Sequence, residues 1–348
     1  MKKPPILESF LPKTVLVTGG CGFIGSNFIR HLISLGNSTR IINFDALTYA
    51  GNMENLSDCL DHPCHTFVKG NICDSNLVSQ TFEKYAPDTV VNFAAESHVD
   101  RSIENPQTFF EVNVGGTLVM LQLSLKYGVK RYIQISTDEV YGSLGNTGKF
   151  TEKTQISPNS PYSASKASAD NFVRAYYHTY DLDTIITRCS NNYGPYQFPE
   201  KLIPLMINNA SNNSSLPIYG DGLNVRDWIH VEDHSAGVWA ALIKGKAGEV
   251  YNFGGNCELT NLDLVKKIIN ILGKPESLIS FIKDRPGHDY RYAIDSTKAH
   301  KELGWTPVVS FDNGLKKTIE WYMRNKEWLD SVTSGDYQSY YQNHYNVK

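Results

Sequence analysis

Apolar runs and polar punctuation alternate along this chain in the rhythm of an α/β fold. Thr14-Val15-Leu16-Val17-Thr18 is a short β-branched run ending in glycines, which predicts a buried parallel strand. An amphipathic helix over residues 24–35 follows and stops at Gly36. Ile41-Ile42-Asn43-Phe44 is a second strand, closed by Asp45. The alternation continues with a strand over 66–70, a helix over 76–85, a strand over 89–95 and a long helix over 106–126. A strand over 132–136, a helix over 162–180 and a strand over 184–188 complete this run. After Arg188 the composition shifts. Residues 191–199 are rich in turn formers and open a smaller domain, while 249–255 reads as a strand returning to the first core. Residues 316–329 form one amphipathic helix carrying Ile319, Trp321, Tyr322 and Trp328, and the polar, tyrosine-rich tail 331–348 has no assignable role. The expected architecture is a doubly wound parallel sheet over 13–190, completed by segments near 225–255, with a smaller interleaved α/β substrate domain mainly within 191–330.

The first connection carries chemistry. Gly19, Gly22 and Gly25 are spaced G-x-x-G-x-x-G between the first strand and the first helix, and Asp45 ends the second strand. This is the dinucleotide-binding fingerprint of a Rossmann-type domain in its expected context. The glycines let the backbone approach a pyrophosphate at the helix N-terminus, where N–H groups favour anions. Asp45 accepts from ribose hydroxyls and repels a 2′-phosphate, and Ala46 supplies no cation, so NAD is favoured over NADP. The competing reading is a glycine-rich turn with no ligand.

Composition narrows the class. The 348 residues include 41% hydrophobic and 20% charged residues, with a formal net charge of -3, so no nucleic-acid or anionic-membrane surface is indicated. The N-terminal residues lack the apolar core of a signal peptide, and no run approaches the ~20 apolar residues of a membrane span. The cysteines Cys21, Cys59, Cys64, Cys73, Cys189 and Cys257 include no C-x-x-C pair, and they read as reduced, structural thiols of a cytoplasmic protein without a metal.

The polar chemistry gathers in Ser136-Thr137-Asp138-Glu139-Val140-Tyr141-Gly142 and in Tyr162-Ser163-Ala164-Ser165-Lys166. On a helix Tyr162 and Lys166 share a face, and an ammonium beside a phenol favours the phenolate. Bringing a phenol from about 10 to neutrality takes about 3 pKa units, roughly 4 kcal/mol. One lysine supplies part of that, and a cationic nicotinamide ring supplies more. Asp138-Glu139 alone reads as a solvated turn or helix cap; beside a phenol–lysine pair it reads as an acid and a base. The stretch Glu96 to Ser102 ends the fourth strand at the same sheet edge, where His98 is expected to be a packing or substrate-contact group.

The second half gathers cations. Lys201, Arg226, Arg285 and His288 sit in loop-like contexts and suit the phosphates of a sugar nucleotide, and Tyr219 could stack on a base. Helices 106–126 and 162–180 carry excess apolar residues, including Phe109, Phe110, Val112, Leu118, Met120, Leu121, Leu123, Phe172, Val173, Tyr176 and Tyr177. They either form a homodimer bundle, the favoured reading, or simply cover the sheet.

The glycine turn with Tyr162-x-x-x-Lys166 resembles the extended short-chain dehydrogenase/reductases. The stretches 136–142, 92–102, 188–195 and 285–289 narrow the resemblance, over roughly residues 13–325, to the dTDP-glucose 4,6-dehydratase family. The resemblance implies a homodimer with tightly held NAD, acting on a nucleotide sugar on the route to deoxysugars such as rhamnose. It places NAD against Phe23, Ile24, Asp45, Leu47, Thr48, Ile72, Ala94, Tyr162, Lys166 and Asn192 as well as the glycines. It places the sugar nucleotide against Ser97, Thr137, Asn191, Lys201, Leu202, Pro217, Tyr219, Arg226, Asn261, Arg285 and His288. Two positions depart from some family members: Ala46 stands where those have lysine, and Val112 where they have threonine. In the implied mechanism Tyr162 takes the 4-hydroxyl proton, Lys166 holds the phenolate and Thr137 binds the 4-oxygen. Glu139 removes the carbon-5 proton and protonated Asp138 helps the 6-hydroxyl leave. A nucleotide-sugar 4-epimerase or UDP-glucuronate decarboxylase would not need Asp138, and an NAD-binding sensor or scaffold would not need Tyr162 and Lys166. Thymine and uracil nucleotides are not separated by sequence, and a UDP-glucose 4,6-dehydratase stays open.

Overall fold

The computed structural model describes residues 10–333. The strands are β1 (Thr14–Thr18), β2 (Arg40–Asp45), β3 (His65–Lys69), β4 (Thr89–Asn92), β5 (Arg131–Thr137) and β6 (Thr184–Cys189), followed by β7 (Asn191–Tyr193), β8 (Leu216–Tyr219), β9 (Val225–His230), β10 (Val250–Phe253), β11 (Glu258–Thr260) and β12 (Ile279–Ile282). Seven of them make one sheet in the order β10-β6-β5-β4-β1-β2-β3, and every neighbouring pair is parallel. The order reverses between β1 and β4, which opens a crevice at the C-terminal strand ends. The β-branched runs of β1, β4 and β5 are wholly or almost wholly buried because helices cover both faces. One apolar cluster joins the helix Phe23–Ser34 to Val238, Ala241 and Leu242 across one face. Another joins Met120 and Leu121 to Val173 and Tyr176 across the other.

The later half interleaves with this sheet, though not wholly as the sequence suggests. β10 and the helix Val231–Lys244 complete the large domain, whereas β9 pairs with β7 and β11 in a separate three-stranded sheet. β8 and β12 form a two-stranded parallel sheet. The helices Leu202–Ser211, Asn261–Leu272 and Phe311–Arg324 cover these with their own core, including Met206, Leu264, Ile268 and Ile319.

Two other expectations need correcting. The single helix expected over 316–329 is two, Phe311–Arg324 and Lys326–Val332. Asn325 breaks them: its backbone leaves the helical region (φ -109°, ψ 50°) while its side-chain amide donates to Trp321 O at 2.8 Å. By length and composition alone the helix Pro106–Lys126 could cross a membrane, and half of that stretch is buried within this fold. It contains a π-turn at Phe110–Gly116. Phe110 and Leu125 on it, and Phe172 on Pro161–Tyr180, remain exposed (59%, 38% and 38%). The six cysteines are free thiols. Most of the tail 331–348 lies outside the described residues.

Candidate active site

The glycine turn is dictated by close approach. Gly19 has φ +67°, and a Cβ there would lie 2.7 Å from Ala94 N; a Cβ on Gly25 would lie 2.2 Å from Gly19 O. The turn therefore packs directly on the end of β4 and starts the helix Phe23–Ser34 with Gly22 as an uncapped N-cap, so the first helical N–H groups are left for a ligand. Asp45 sits at the end of β2 and accepts from Cys21 N at 2.9 Å and Leu47 N at 2.8 Å. Burial pushes its carboxyl up and these two N–H groups oppose that. Gly19, Gly22, Phe23, Ile24, Gly25, Asp45, Thr48, Ile72, Ala94, Tyr162, Lys166 and Asn192 all line one cleft of about 310 Å³, and Leu47 adjoins it through Asp45. Ala46 and Val112 line the same cleft, with no cation beside Asp45 among its lining residues. The donor set, the acceptor and the side-chain-free turn fit a dinucleotide with an unmodified ribose.

The catalytic stretch closes that cleft. β5 ends at Thr137, whose hydroxyl caps the short 3-10 turn Asp138–Tyr141 by accepting from Glu139 N at 3.2 Å. The same hydroxyl donates to Asp138 Oδ1 at 3.3 Å, and Asp138 Oδ2 is buried without a partner. The pair is therefore not a solvated turn. Burial, then the charges of Glu139 and Asp227, push the Asp138 carboxyl well above the usual aspartate range. Burial also raises Glu139, but Lys201, Arg226 and Arg285 oppose it. Both carboxyls are raised, Asp138 further toward the neutral acid than Glu139, which its nearby cations hold closer to the carboxylate.

Tyr162 and Lys166 lie on the first turns of the helix Pro161–Tyr180, whose N-terminus is fixed by a Ser160/Ser163 capping box. Lys166 Nζ donates to Ile135 O at 2.7 Å. The expectation that Lys166 brings the phenol down is not met by the protein's own groups. Burial, and after it the charge of Glu139, hold Tyr162 well above its ordinary value, with a Thr137 hydrogen bond opposing them.

A second cavity of about 160 Å³ adjoins the first through Ser97, Glu139, Asn191, Glu200 and Lys201. It is lined by Ser97, Asn191, Lys201, Leu202, Pro217, Tyr219, Arg226, Asn261, Arg285 and His288, while Thr137 faces the first. Arg226 is not in a loop: it lies in β9, 7% exposed, donates to Asp289 O at 3.0 Å and covers the Tyr292 ring. Arg285 pairs with Asp100 at 2.5 Å, and Tyr219 donates to the same carboxylate at 3.1 Å. His288 meets Asp284 at 2.7 Å. Lys201 donates to Ser97 O at 2.7 Å, and Asn191 Oδ1 is buried with no protein partner. His98 is 3% exposed, and burial with three nearby cations keeps its imidazole neutral, as suits a packing group.

Sequence reasoning assigned no role to Glu96, Asp100, Gln197, Phe198 or Glu200, which line or brace these cavities. The available signal was charge at a strand end, in Glu96 and Asp100. Glu200 gave none, because its partners Tyr49 and Arg101 are distant in sequence.

Residues 16–318 match the family model described as GDP-mannose 4,6 dehydratase. The chain is 51% identical over 343 residues to a dTDP-glucose 4,6-dehydratase of Xanthomonas campestris pv. campestris, covering 93% of this chain and 97% of that one. A dTDP-glucose 4,6-dehydratase from Bacillus anthracis, solved in complex with NAD, superposes with a TM-score of 0.86 at 51% identity, covering 92% and 99% of the two chains. DesIV, a dTDP-glucose 4,6-dehydratase from Streptomyces venezuelae solved with NAD and TYD bound, superposes with a TM-score of 0.89 at 48% identity, covering 92% and 99%. With the paired carboxylates, the phenol–lysine helix and the glycine cleft in one crevice, the chain belongs to the dTDP-glucose 4,6-dehydratase family within the extended short-chain dehydrogenase/reductases.

Proposed function

We propose that this chain is an NAD-dependent hydro-lyase that converts dTDP-glucose to dTDP-4-dehydro-6-deoxy-glucose for deoxysugar biosynthesis. The observation that carries the reading is the pair Asp138–Glu139, adjacent and raised to different extents, Asp138 well up and Glu139 held back by three cations, where the two cavities meet. An epimerase or decarboxylase has no use for the neutral member of that pair.

NAD held in the first cleft would supply the redox chemistry, a hydride acceptor for carbon 4 and a hydride donor for carbon 6, with none consumed in a turnover. The glycine turn and the N-terminus of Phe23–Ser34 would hold its pyrophosphate, Asp45 its adenine-side ribose, and Lys166 its nicotinamide-side ribose. Tyr162 takes the proton of the 4-hydroxyl. A positive nicotinamide ring beside it would offset the burial and the Glu139 charge that hold its phenol up. Thr137 hydrogen-bonds the 4-oxygen. Once carbon 4 is a ketone the carbon-5 proton is acidic; Glu139 removes it and gives a proton back to carbon 5 when hydride reaches carbon 6. Asp138 gives its proton to the departing 6-hydroxyl, so the eliminated molecule is water. Lys201, Arg226 and Arg285 set their charges against the diphosphate, with Tyr219 beside the base and Asn191 and Ser97 on the sugar. Residues 13–190 with the helix and strand near 231–253 hold the cofactor, and the remainder of 191–330 holds the sugar nucleotide.

We further infer a cytoplasmic homodimer. Phe110 and Phe172 stand exposed on two neighbouring helices, a face that a second copy would cover. Phe110→Glu with Phe172→Glu is expected to give a monomer in analytical ultracentrifugation; an unchanged mass would remove this face from the interface.

Mass spectrometry after incubation with dTDP-glucose tests the function. A product lighter by one water supports it, an unchanged mass with inverted carbon-4 stereochemistry would point to an epimerase, and no turnover would point to a binding protein. The same assay with UDP-glucose measures nucleotide preference.

A further inference from the structure

Lys166 is 4% exposed, and its hydrogen-bond acceptor, Ile135 O, satisfies a proton but not a charge. A cation taken out of water needs an anion. Its own helix offers Tyr162 one turn before it and Asp170 one turn after. β5 and the turn beyond it offer Ser136, Asp138 and Glu139; β6 offers Arg188 and Cys189; the segment after β4 offers Glu96.

Most of these are committed elsewhere. Glu96 answers to Arg101 and Lys201, and Glu139 to Lys201, Arg226 and Arg285. Burial pushes the Asp138 carboxyl well up and the Cys189 thiol to about 12, which disfavours the anion of each. Asp170 remains. It is 1% exposed, and its Oδ2 accepts from Ser136 Oγ and Arg188 Nε, each at 3.0 Å. Its Oδ1 is buried without a hydrogen-bond partner. Burial drives Lys166 toward the neutral amine, and the charge of Asp170 is the foremost influence opposing it.

We propose that Asp170, fixed by Ser136 and Arg188, is a positioning residue that keeps the Lys166 ammonium charged and so sets the pH at which Tyr162 acts as a base. The proposal rests on the reading of Tyr162 as the base of the oxidation step. One carboxylate serves two enclosed cations, Arg188 and Lys166. Removing its charge leaves both without an anion, and the less costly relief is loss of a proton from Lys166, because arginine keeps its own. The phenol then loses its cationic neighbour and becomes a weaker acid.

The test is the pH profile of carbon-4 oxidation in single turnovers of the NAD-loaded protein. Asp170→Asn is expected to move the acidic limb up by about one pH unit, and Asp170→Glu to leave it near the wild-type position. Asp170→Asn strands Arg188 in the interior and risks the fold. The double variant Asp170→Asn with Arg188→Gln removes the pair as a unit and carries the same expectation. A second readout needs no turnover: the Nζ titration of Lys166 by nitrogen-15 NMR, assigned by its loss in Lys166→Arg, moves to lower pH in either variant. An unmoved Lys166 titration in a folded variant overturns the proposal whatever the rates do. Dehydration of dTDP-glucose by the wild type tests the function separately.

Discussion

The Thr137 hydroxyl donates to Asp138 Oδ1 at 3.3 Å and leaves Oδ2 of the same carboxyl buried and unpartnered. One oxygen is held and the other is left to face a substrate. Asp138→Asn keeps the shape and removes the transferable proton. We expect the rate of water loss to fall by about 10²–10⁴, while carbon-4 oxidation, followed as NADH absorbance in single turnovers, persists.

The same substitution makes a stability prediction with the opposite sign. The folded protein holds the Asp138 proton more tightly than the unfolded chain. Its contribution to stability is therefore fully present below the unfolded aspartate value and is lost as pH rises toward the folded one. Asparagine carries no such loss. Asp138→Asn should have a higher Tm than wild type at pH 7–8, with the gap closing near pH 4. A gap independent of pH would mean that Asp138 is ionised in the native state.

Glu139→Gln separates oxidation from elimination. It should retain some carbon-4 oxidation and lose carbon-5 deuterium exchange, read by mass spectrometry in deuterated buffer. Unchanged exchange would remove Glu139 from the base role.

Arg285 is fixed by Asp100 and braced over the Tyr219 ring, 5.0 Å from its centroid. A contact to the diphosphate is the same before and at the transition state. Arg285→Met is thus expected to raise KM for dTDP-glucose by about tenfold to a hundredfold, with kcat little changed. A fall in kcat at constant KM would place Arg285 with the reacting carbons instead.

The cofactor half was legible because its signals are local. The β-branched run of β1, the three glycines and Asp45 each declare themselves within a few residues. Glu139 and Tyr162 were found the same way. Arg226 was misread as a loop residue because its strand is polar: Arg226, Asp227 and His230 are buried there by partners such as Asp289 O and Cys257 N, which sequence order does not bring near. The i, i+4 spacing put Tyr162 and Lys166 on one face, yet it could not say that Lys166 would settle on Ile135 O, or that burial beside Glu139 would hold the phenol up.

The edge strand β10, drawn from residues 250–253 to pair with β6, sets the order in which this protein can be made. While the chain is still being synthesised, every strand from β1 to β6 can be complete and the outer edge of β6 still lie bare, because its partner follows about sixty residues later. A nascent chain stalled in that interval, or a fragment ending near residue 200, would present an open parallel edge to other chains. Residues 13–190 alone are thus expected to be aggregation-prone, and their solubility depends on the later segment that supplies β10.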